Sequence, residues 1–232
     1  NKTVRRVLAK YRPDLVECQD TYNLPWAAIG HVRRHPGTAL TASYMTDMPT
    51  AYLERPLARF GRLVAGAATR LGYRYIRRLL GHFDAIGALS EAGGAAKLRA
   101  LGVERVFVTP LGVDVADFEP GRRDPALRRE LGLGDDQPLI IYVGRLDKEK
   151  KPDVVVEAFR RLPRDLGAKL VLFGDGPLRA EIEALGDERI LMPGFLNDRA
   201  ELARWLASAD LYASGMADET FGVSIVEAQA AG

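Results

Sequence analysis

The sequence predicts an α/β protein made of two doubly wound parallel-sheet domains, and three observations predict it. Short β-branched runs alternate with amphipathic helical stretches over most of the 232 residues, the pattern of strand–helix–strand units. Hydrophobic residues make up 47% of the chain, enough for a packed core. Between two alternating halves lies a segment, 110–138, punctuated by Pro110, Gly112, Pro120, Gly121, Pro125, Gly132, Gly134 and Pro138, which is the composition of an interdomain connection. The expected domains are 1–120 and 121–232.

In the first half, Val4, Val7 and Leu8 open a helical pattern almost at once, and 14–18 and 38–44 read as strands. A long helical region is expected from about Leu53 to Leu80, followed by a strand at 84–89. Ser90 and Glu91 suit the start of a helix that Gly102 ends, and a strand is expected at 105–109. The connection holds one short helix, 125–131. The alternation then resumes, with strands at 139–143, 169–173, 190–192 and 211–213 and helices near 152–162, 178–185, 199–207 and 222–230. The start at Asn1 and the apolar stretch ending at Gly232 read as an excerpt of a longer chain, with both domains incomplete.

Composition excludes several classes. A lone cysteine, Cys18, rules out an intrachain disulfide framework and a Cys-rich zinc module. Three histidines, His31, His35 and His82, lack metal-ligand spacing, so no metal site is expected. Lysine and arginine, 33 together, nearly cancel 31 acidic residues, which argues against a general nucleic-acid binder. No run approaches the ~18 apolar residues that a membrane span needs, and no charged-then-apolar leader opens the chain. The expectation is a soluble globular protein of a reducing compartment.

In doubly wound sheets ligands bind beyond the carboxyl ends of the strands, so the strand-to-helix loops of the second half are where chemistry is sought. The first loop reads Gly144-Arg145-Leu146-Asp147-Lys148-Glu149-Lys150-Lys151-Pro152. Gly144 permits close approach of a ligand, and Arg145 with Lys150 sets two cations beside a helix N-terminus, an anion site by charge and dipole. Read alone, it is more often a solvated charged loop. The second loop, Gly174-Asp175-Gly176-Pro177, reads alone as a tight turn. In the third, Phe195 and Leu196 follow Pro193-Gly194 and offer an aromatic wall for a base, though phenylalanine there is more often core. The fourth runs from Glu219 through Phe221, Gly222 and Val223 to Glu227, with loop amides pointing at whatever fills the site. Two glutamates eight apart are cheap, since Glu149 and Glu157 repeat the spacing; the pair gains meaning only from its place after the fourth strand.

As an ordered set, one per strand end, these stretches resemble the donor-binding domain of retaining glycosyltransferases of family 4, which have the GT-B architecture of two Rossmann-like domains. The first half is similar more loosely, through Pro13-Asp14-Leu15-Val16, Ser43-Tyr44-Met45-Thr46-Asp47, Ser90-Glu91 and Pro110-Leu111-Gly112-Val113-Asp114. The resemblance implies a hexosyltransferase that moves a sugar from a nucleoside-diphosphate-sugar to a lipid-linked or glycan acceptor with retention of configuration. It implies no cofactor and no metal, and a cytoplasmic protein, peripheral on the inner membrane face. By the same resemblance, Arg145 and Lys150 hold the diphosphate and Glu219 holds hydroxyls of the transferred sugar. Gly144, Gly174, Phe195, Leu196, Phe221, Gly222, Val223 and Glu227 complete the donor site, with Glu227 accepting from the ribose. Tyr44, Met45 and Asp47 lie on the acceptor side. Met45 stands where the family usually has a histidine; a thioether accepts weakly and donates nothing, so either the donor lacks the usual hydroxyl, Asp47 substitutes, or catalysis is weakened.

From Leu53 to Leu80 seven arginines (55, 59, 62, 70, 74, 77 and 78) face Glu54 alone, with apolar residues between them. That stretch reads either as a surface for anionic lipid headgroups or as a helix pair with a solvated basic face. Two other functions compete with transfer: a GT-B nucleotide-sugar epimerase, against which the scarcity of histidine speaks, and a non-catalytic nucleotide-sugar-binding module.

Overall fold

The two alternating halves of the sequence form two separate four-stranded sheets in the computed structural model, which describes every residue except Asn1, Asp218 and Thr220. Thr220, inside the Glu219-to-Glu227 stretch, therefore lies outside the described residues. The chain divides into two units, Asn1–Leu111 and Gly112–Gly232.

In the first unit α1 (Lys2–Tyr11) leads into β1 (Leu15–Cys18), α2 (Leu24–Val32) and β2 (Ala39–Tyr44). A π-helical turn (Pro49–Glu54), α3 (Arg55–Leu57) and a 3-10 turn (Ala58–Phe60) precede α4 (Arg62–Leu80). Then come β3 (Ala85–Ala88), a π-helical turn (Glu91–Ala95) that runs into α5 (Ala96–Ala100), and β4 (Val106–Val108). The strands are all parallel and lie in the order β1-β2-β3-β4. Alternation along β2 sends Leu40, Ala42 and Tyr44 into the core, as the period of two along a strand requires.

The long helical region 53–80 is found as a pair of helical segments. The π-helical turn runs on through α3 and the 3-10 turn to Phe60, and Gly61 takes φ +103°, a conformation that breaks the helix between Phe60 and Arg62. A helix without a sequence signal, α2, is added. That helix buries Ala27, Ala28, Ile29 and His31 in a nine-residue span, so it has almost no polar face from which a helical period can be read. Ser90 caps as expected, its hydroxyl accepting from the Gly93 amide at 2.8 Å, and Gly102 ends the helix at φ +75°.

The second unit contains a 3-10 turn (Pro120–Arg122), α6 (Pro125–Glu130), β5 (Leu139–Val143), α7 (Pro152–Arg160), β6 (Lys169–Phe173), α8 (Arg179–Glu183), β7 (Ile190–Gly194), α9 (Arg199–Ser208), β8 (Leu211–Tyr212) and α10 (Val223–Ala231). The parallel strands lie in the order β7-β6-β5-β8. The chain steps outward from β5 to β7, then returns to the other side of β5, so the reversal of a doubly wound sheet falls between β5 and β8. Both faces of this sheet are covered. Leu139 and Ile141 pack with Val171 and Phe173 in one cluster, while Ile140 and Tyr142 pack with Leu170 and Leu172 in the other. Strands buried on both sides read as unbroken apolar runs, which is why β5 and β6 fall where the sequence put them.

The units divide at Leu111/Gly112, earlier than the 120/121 drawn from the Pro/Gly pattern. Phe118, fully buried in the second unit's core, fixes the intervening residues there. Arg128 on α6 then ties the connection to the sheet: its guanidinium reaches Asp210 Oδ2 at 2.7 Å and the Gln137 carbonyl at 2.8 Å, and Asp210 Oδ2 also accepts from the Leu139 amide at 2.8 Å.

Candidate functional site

The loops beyond β5, β6, β7 and β8 are stitched to one another by backbone contacts that only glycine permits. The Gly144 amide donates to the Phe173 carbonyl (3.0 Å), the Leu146 amide to the Asp175 carbonyl (2.9 Å) and the Gly174 amide to the Gly194 carbonyl (2.9 Å). A Cβ on Gly174 would stand 1.9 Å from the Gly144 carbonyl oxygen, and one on Gly215 would stand 2.2 Å from that of Lys151. The turn that reads as weak in the sequence, Gly174-Asp175-Gly176-Pro177, is thus the seat on which the Arg145 loop rests.

That loop is organised by Asp147. Its Oδ1 accepts from the amides of Glu149 and Lys150, each at 3.0 Å, and its Oδ2 lies 2.5 Å from Arg145 Nη1. Arg145 Nη2 meets Glu149 Oε2 at 2.7 Å. Glu149, read in the sequence as half of a decoy pair, is a partner of the arginine; Glu157, the other half, pairs with Arg161 on the exposed face of α7. Leu146 is fully buried and anchors the loop, whereas Arg145 keeps 60% of its side chain exposed. The Tyr142 hydroxyl donates to the Arg145 carbonyl at 2.8 Å. Its burial, first, and then the nearby Tyr212 and Asp147 push the phenol well above its usual range, so it stays a donor.

Lys150 and Glu219, 69 residues apart, meet: Lys150 Nζ lies 2.6 Å from Glu219 Oε2, both side chains half-buried. Glu219 precedes α10, whose cap Gly222 takes φ +77°. The first intrahelical bond at this end runs from the Ile225 amide to the Gly222 carbonyl, so the amides of Val223 and Ser224 precede the helical ladder, at the end where the helix dipole is positive. Phe221, Gly222 and Val223 therefore stand at the switch point with Lys150 and Glu219. Past β7, Phe195 is 73% exposed, against the expectation that such a phenylalanine is usually core, while Leu196 packs on the buried cluster.

Glu227 lies deeper, buried on α10, with Oε1 3.2 Å from Arg199 Nη1. Burial raises its pKa above the ordinary carboxyl range, and Arg199 opposes the rise. Arg199 in turn lies over the buried Phe118 ring, 4.9 Å from its centroid. Sequence reasoning missed Arg199, because a residue following the N-cap Asp198 reads as an ordinary helix start. It also missed Tyr212, whose hydroxyl bonds to Ser224 Oγ (2.8 Å) and donates to the Val143 carbonyl (3.2 Å), joining β5, β8 and α10; nothing in a two-residue strand signals that role.

In the first unit two of the three acceptor-side residues, Tyr44 and Asp47, meet, and Met45 stands apart from them. Tyr44 is buried, and its hydroxyl donates to Asp47 Oδ1 at 3.0 Å. Asp47 also accepts from Thr50 and Tyr73 at 2.9 Å and is paired with Lys97. Burial alone would raise the Asp47 pKa, but these hydrogen bonds and the lysine hold it below the usual value. Its carboxylate is thus committed to fixing the loop. Met45 instead lines a cavity of about 150 Å³ beyond β1 and β2, with Asp20, Tyr22, Ser43, Met48 and Tyr52.

Among the described residues there is no group of three His, Cys, Asp or Glu side chains able to hold a metal ion, and no helix long and apolar enough to cross a membrane.

Comparison with known proteins gives one family model, described as "Glycosyl transferases group 1", which matches residues 124–232. A GDP-mannose-dependent alpha-(1-6)-phosphatidylinositol dimannoside mannosyltransferase of Mycobacterium tuberculosis is 32% identical over 238 residues, covering 99% of this chain and 58% of that protein. A D-inositol 3-phosphate glycosyltransferase of Xylanimonas cellulosilytica is 36% identical over 156 residues, covering 61% of this chain and 37% of the relative. The chain thus spans little more than half the length of the first of these relatives. Among solved structures, Anabaena Alr3699/HepE in complex with UDP and glucose aligns at a TM-score of 0.71 with 20% identity, over 99% of this chain and 60% of that one. TarM aligns at 0.72 with 15% identity, over 98% and 42%. At these identities the shared property is the GT-B fold, two parallel-sheet α/β units.

Proposed function

The chain belongs to the group 1 glycosyltransferases through residues 124–232, and from that premise we propose that it is the core of a retaining hexosyltransferase acting on a nucleoside-diphosphate-sugar. The observation that carries the reading is the Lys150–Glu219 contact at 2.6 Å, since it joins the two most informative loops at the switch point of the sheet. In this reading Arg145, Lys150 and the first amides of α10 receive the diphosphate and stabilise its charge as the glycosidic bond breaks. Such preorganised donors supply ~3–4 kcal/mol each. Arg145 and Lys150 are compensated by Asp147, Glu149 and Glu219; a diphosphate would exchange these partners for its own oxygens.

Glu219, released from Lys150, would accept from hydroxyls of the transferred sugar, and Glu227 from the ribose. Phe195 offers an exposed ring beside the base. The leaving phosphate takes the acceptor proton, so that neither a metal nor a pair of carboxylates at glycosidase spacing is required. Names of the relatives extend the reading to a GDP- or UDP-hexose as donor, from GDP-mannose and from UDP with glucose, and to a lipid-linked or glycan acceptor, from phosphatidylinositol dimannoside. Met45, in the cavity beyond β1 and β2, bears on sugar or acceptor choice within this reading. A donor panel with the full-length protein, scoring nucleoside diphosphate release with and without acceptor, tests it. Release with GDP-mannose or UDP-glucose that collapses in Arg145→Ala and Lys150→Ala supports transfer, whereas donor binding without any release points to the non-catalytic module.

A further inference from the structure

The backbone join between β5 and β8 stops one step short, and a phenol completes it. Three carbonyls of β5, those of Leu139, Ile141 and Val143, face β8, evenly spaced as in any parallel pair. The Asp210 amide donates to the first at 2.9 Å and the Ala213 amide to the second at 2.8 Å. Strand β8 is only two residues long. Beyond it the chain turns toward the loop of β5, where a Cβ on Gly215 would stand 2.2 Å from the Lys151 carbonyl oxygen. The third carbonyl is met by a side chain instead: the Tyr212 hydroxyl donates to Val143 at 3.2 Å.

The same hydroxyl lies 2.8 Å from Ser224 Oγ in the first turn of α10. A phenol has one proton to give. With that proton on the Val143 carbonyl, Ser224 donates and Tyr212 accepts, so a single oxygen ties the end of β5 to the start of α10. Burial, first, and then Glu219 and Glu227 raise the phenol's pKa, against the two hydrogen bonds that lower it; the proton stays in place. On the other face of β5 the Tyr142 hydroxyl holds the Arg145 carbonyl at 2.8 Å, and a Cβ on Gly144 would stand 3.0 Å from it. Val143 and Tyr212 pack on one buried cluster and Tyr142 belongs to the other. The strand end that launches Arg145 is thus gripped from both faces.

We infer that Tyr212, acting through Ser224 and the Val143 carbonyl, is a positioning residue that sets the gap between the two sides of the phosphate site, and with it a preference for a diphosphate over a monophosphate. Arg145 and Lys150 stand in the loop beyond β5, and the amides of Val223 and Ser224 stand at the start of α10. A ligand with one phosphate can be held from one side alone. A diphosphate uses both sides, so its binding depends on their spacing, and a displacement of about an ångström is enough to matter. Tyr212 itself touches neither phosphate in this account. The inference rests on the proposed transfer reading and deepens it, naming the group that holds the site at diphosphate width. Were Tyr212 mere packing for β8, its loss would be felt alike by both kinds of ligand.

The test is calorimetric titration of the full-length protein with GDP, GMP, UDP and UMP, in the native form and in Tyr212→Phe, Ser224→Ala and Ser224→Thr. The native protein should prefer the diphosphate. Tyr212→Phe should lose about tenfold in diphosphate affinity and less than about twofold in monophosphate affinity. Ser224→Ala breaks the same bond from the other end and suits a helix, so it should reproduce that pattern even where phenylalanine disturbs folding. Because both variants remove one bond, combining them should cost no more than either alone. Ser224→Thr keeps the hydroxyl and should keep the native preference. Equal losses for diphosphate and monophosphate, an unaltered preference in Ser224→Ala, or fully additive losses in the double variant would each overturn the inference and leave the transfer reading standing. A native protein that binds neither GDP nor UDP would overturn both.

Discussion

Arg199 Nη1 stands 3.2 Å from Glu227 Oε1, joining the start of α9 to the buried side of α10. Burial, the first cause, moves the glutamate's pKa upward and Arg199 restrains it. The folded carboxyl therefore takes its proton at higher pH than an exposed glutamate. A donor that needs the ionised carboxylate should lose affinity on an acid limb lying above the ordinary glutamate range. In Arg199→Gln that limb should move to still higher pH, and in Glu227→Gln it should vanish. Stability runs the opposite way. With the folded pKa above the unfolded one, ionising Glu227 costs stability as pH rises through that window, so Glu227→Gln should gain on the native protein there and match it below. Calorimetric titration of a nucleotide across pH checks the first claim; a limb that ignores Arg199→Gln removes that arginine as a positioning residue.

Arg145 and Lys150 carry the second prediction. Lys150→Ala should lower donor turnover by at least about tenfold, within the range that removing one preorganised donor produces, and so should Arg145→Ala, whose side chain is too exposed to matter much for folding. Because Lys150 and Glu219 touch, their effects should not add. A double-mutant cycle of Lys150→Ala and Glu219→Gln should show coupling of ~0.5–3 kcal/mol. Glu157→Gln, on the exposed face of α7, should be silent. Unchanged turnover in both cation variants would sink the diphosphate assignment.

What was legible in the sequence is what depends on local pattern. Strands β5 and β6 are apolar on both faces and bounded by breakers, so 139–143 and 169–173 match residue for residue. The loop residues Arg145, Lys150, Glu219 and Gly222 were legible because each follows a strand end. What was not legible depends on partners remote in sequence: Arg199 against Glu227 and Phe118, Tyr212 against Ser224, and Arg128 against Asp210. Two local features were also not legible: the helix α2 is too buried to show a period, and the point at which Gly61 divides the helical region 53–80 lies within a hydrophobic pattern that continues across it.

Asp47 supplies a stability test in the first unit. Its carboxylate receives Tyr44, Thr50, Tyr73 and Lys97, and its pKa is lowered on balance. A lowered carboxyl contributes stability that is complete above the unfolded pKa and is lost as pH falls through the folded one. Asp47→Asn should therefore cost about 1–3 kcal/mol near neutrality, with the gap to the native protein closing in acid. Denaturant unfolding at several pH values measures it. A pH-independent gap would mean that packing, not charge, is what the aspartate provides.

The glycine seat beneath the Arg145 loop gives the sharpest contrast between two substitutions of the same chemistry. Gly174 and Gly186 both have positive φ, +131° and +61°, so alanine is strained at each, by about 1–2 kcal/mol for the left-handed region. Only at Gly174 does the new methyl also meet backbone, 1.9 Å from the Gly144 carbonyl; at Gly186 it meets open space. Backbone cannot yield as a flexible side chain can. For Gly174→Ala to fold at all, the turn before Arg145 must shift, carrying with it Asp147 and the Glu149 and Lys150 amides that its carboxylate holds. Gly186→Ala should melt slightly early and bind nucleotide normally. Gly174→Ala should lose several times more stability, and any folded fraction should bind nucleotide at least about tenfold more weakly, since misplacing the reacting geometry by an ångström has effects of that order or larger. Thermal melts paired with nucleotide titration decide between them. If Gly174→Ala folds and binds like Gly186→Ala, the seat tolerates displacement and the loop of Arg145 is positioned by something else.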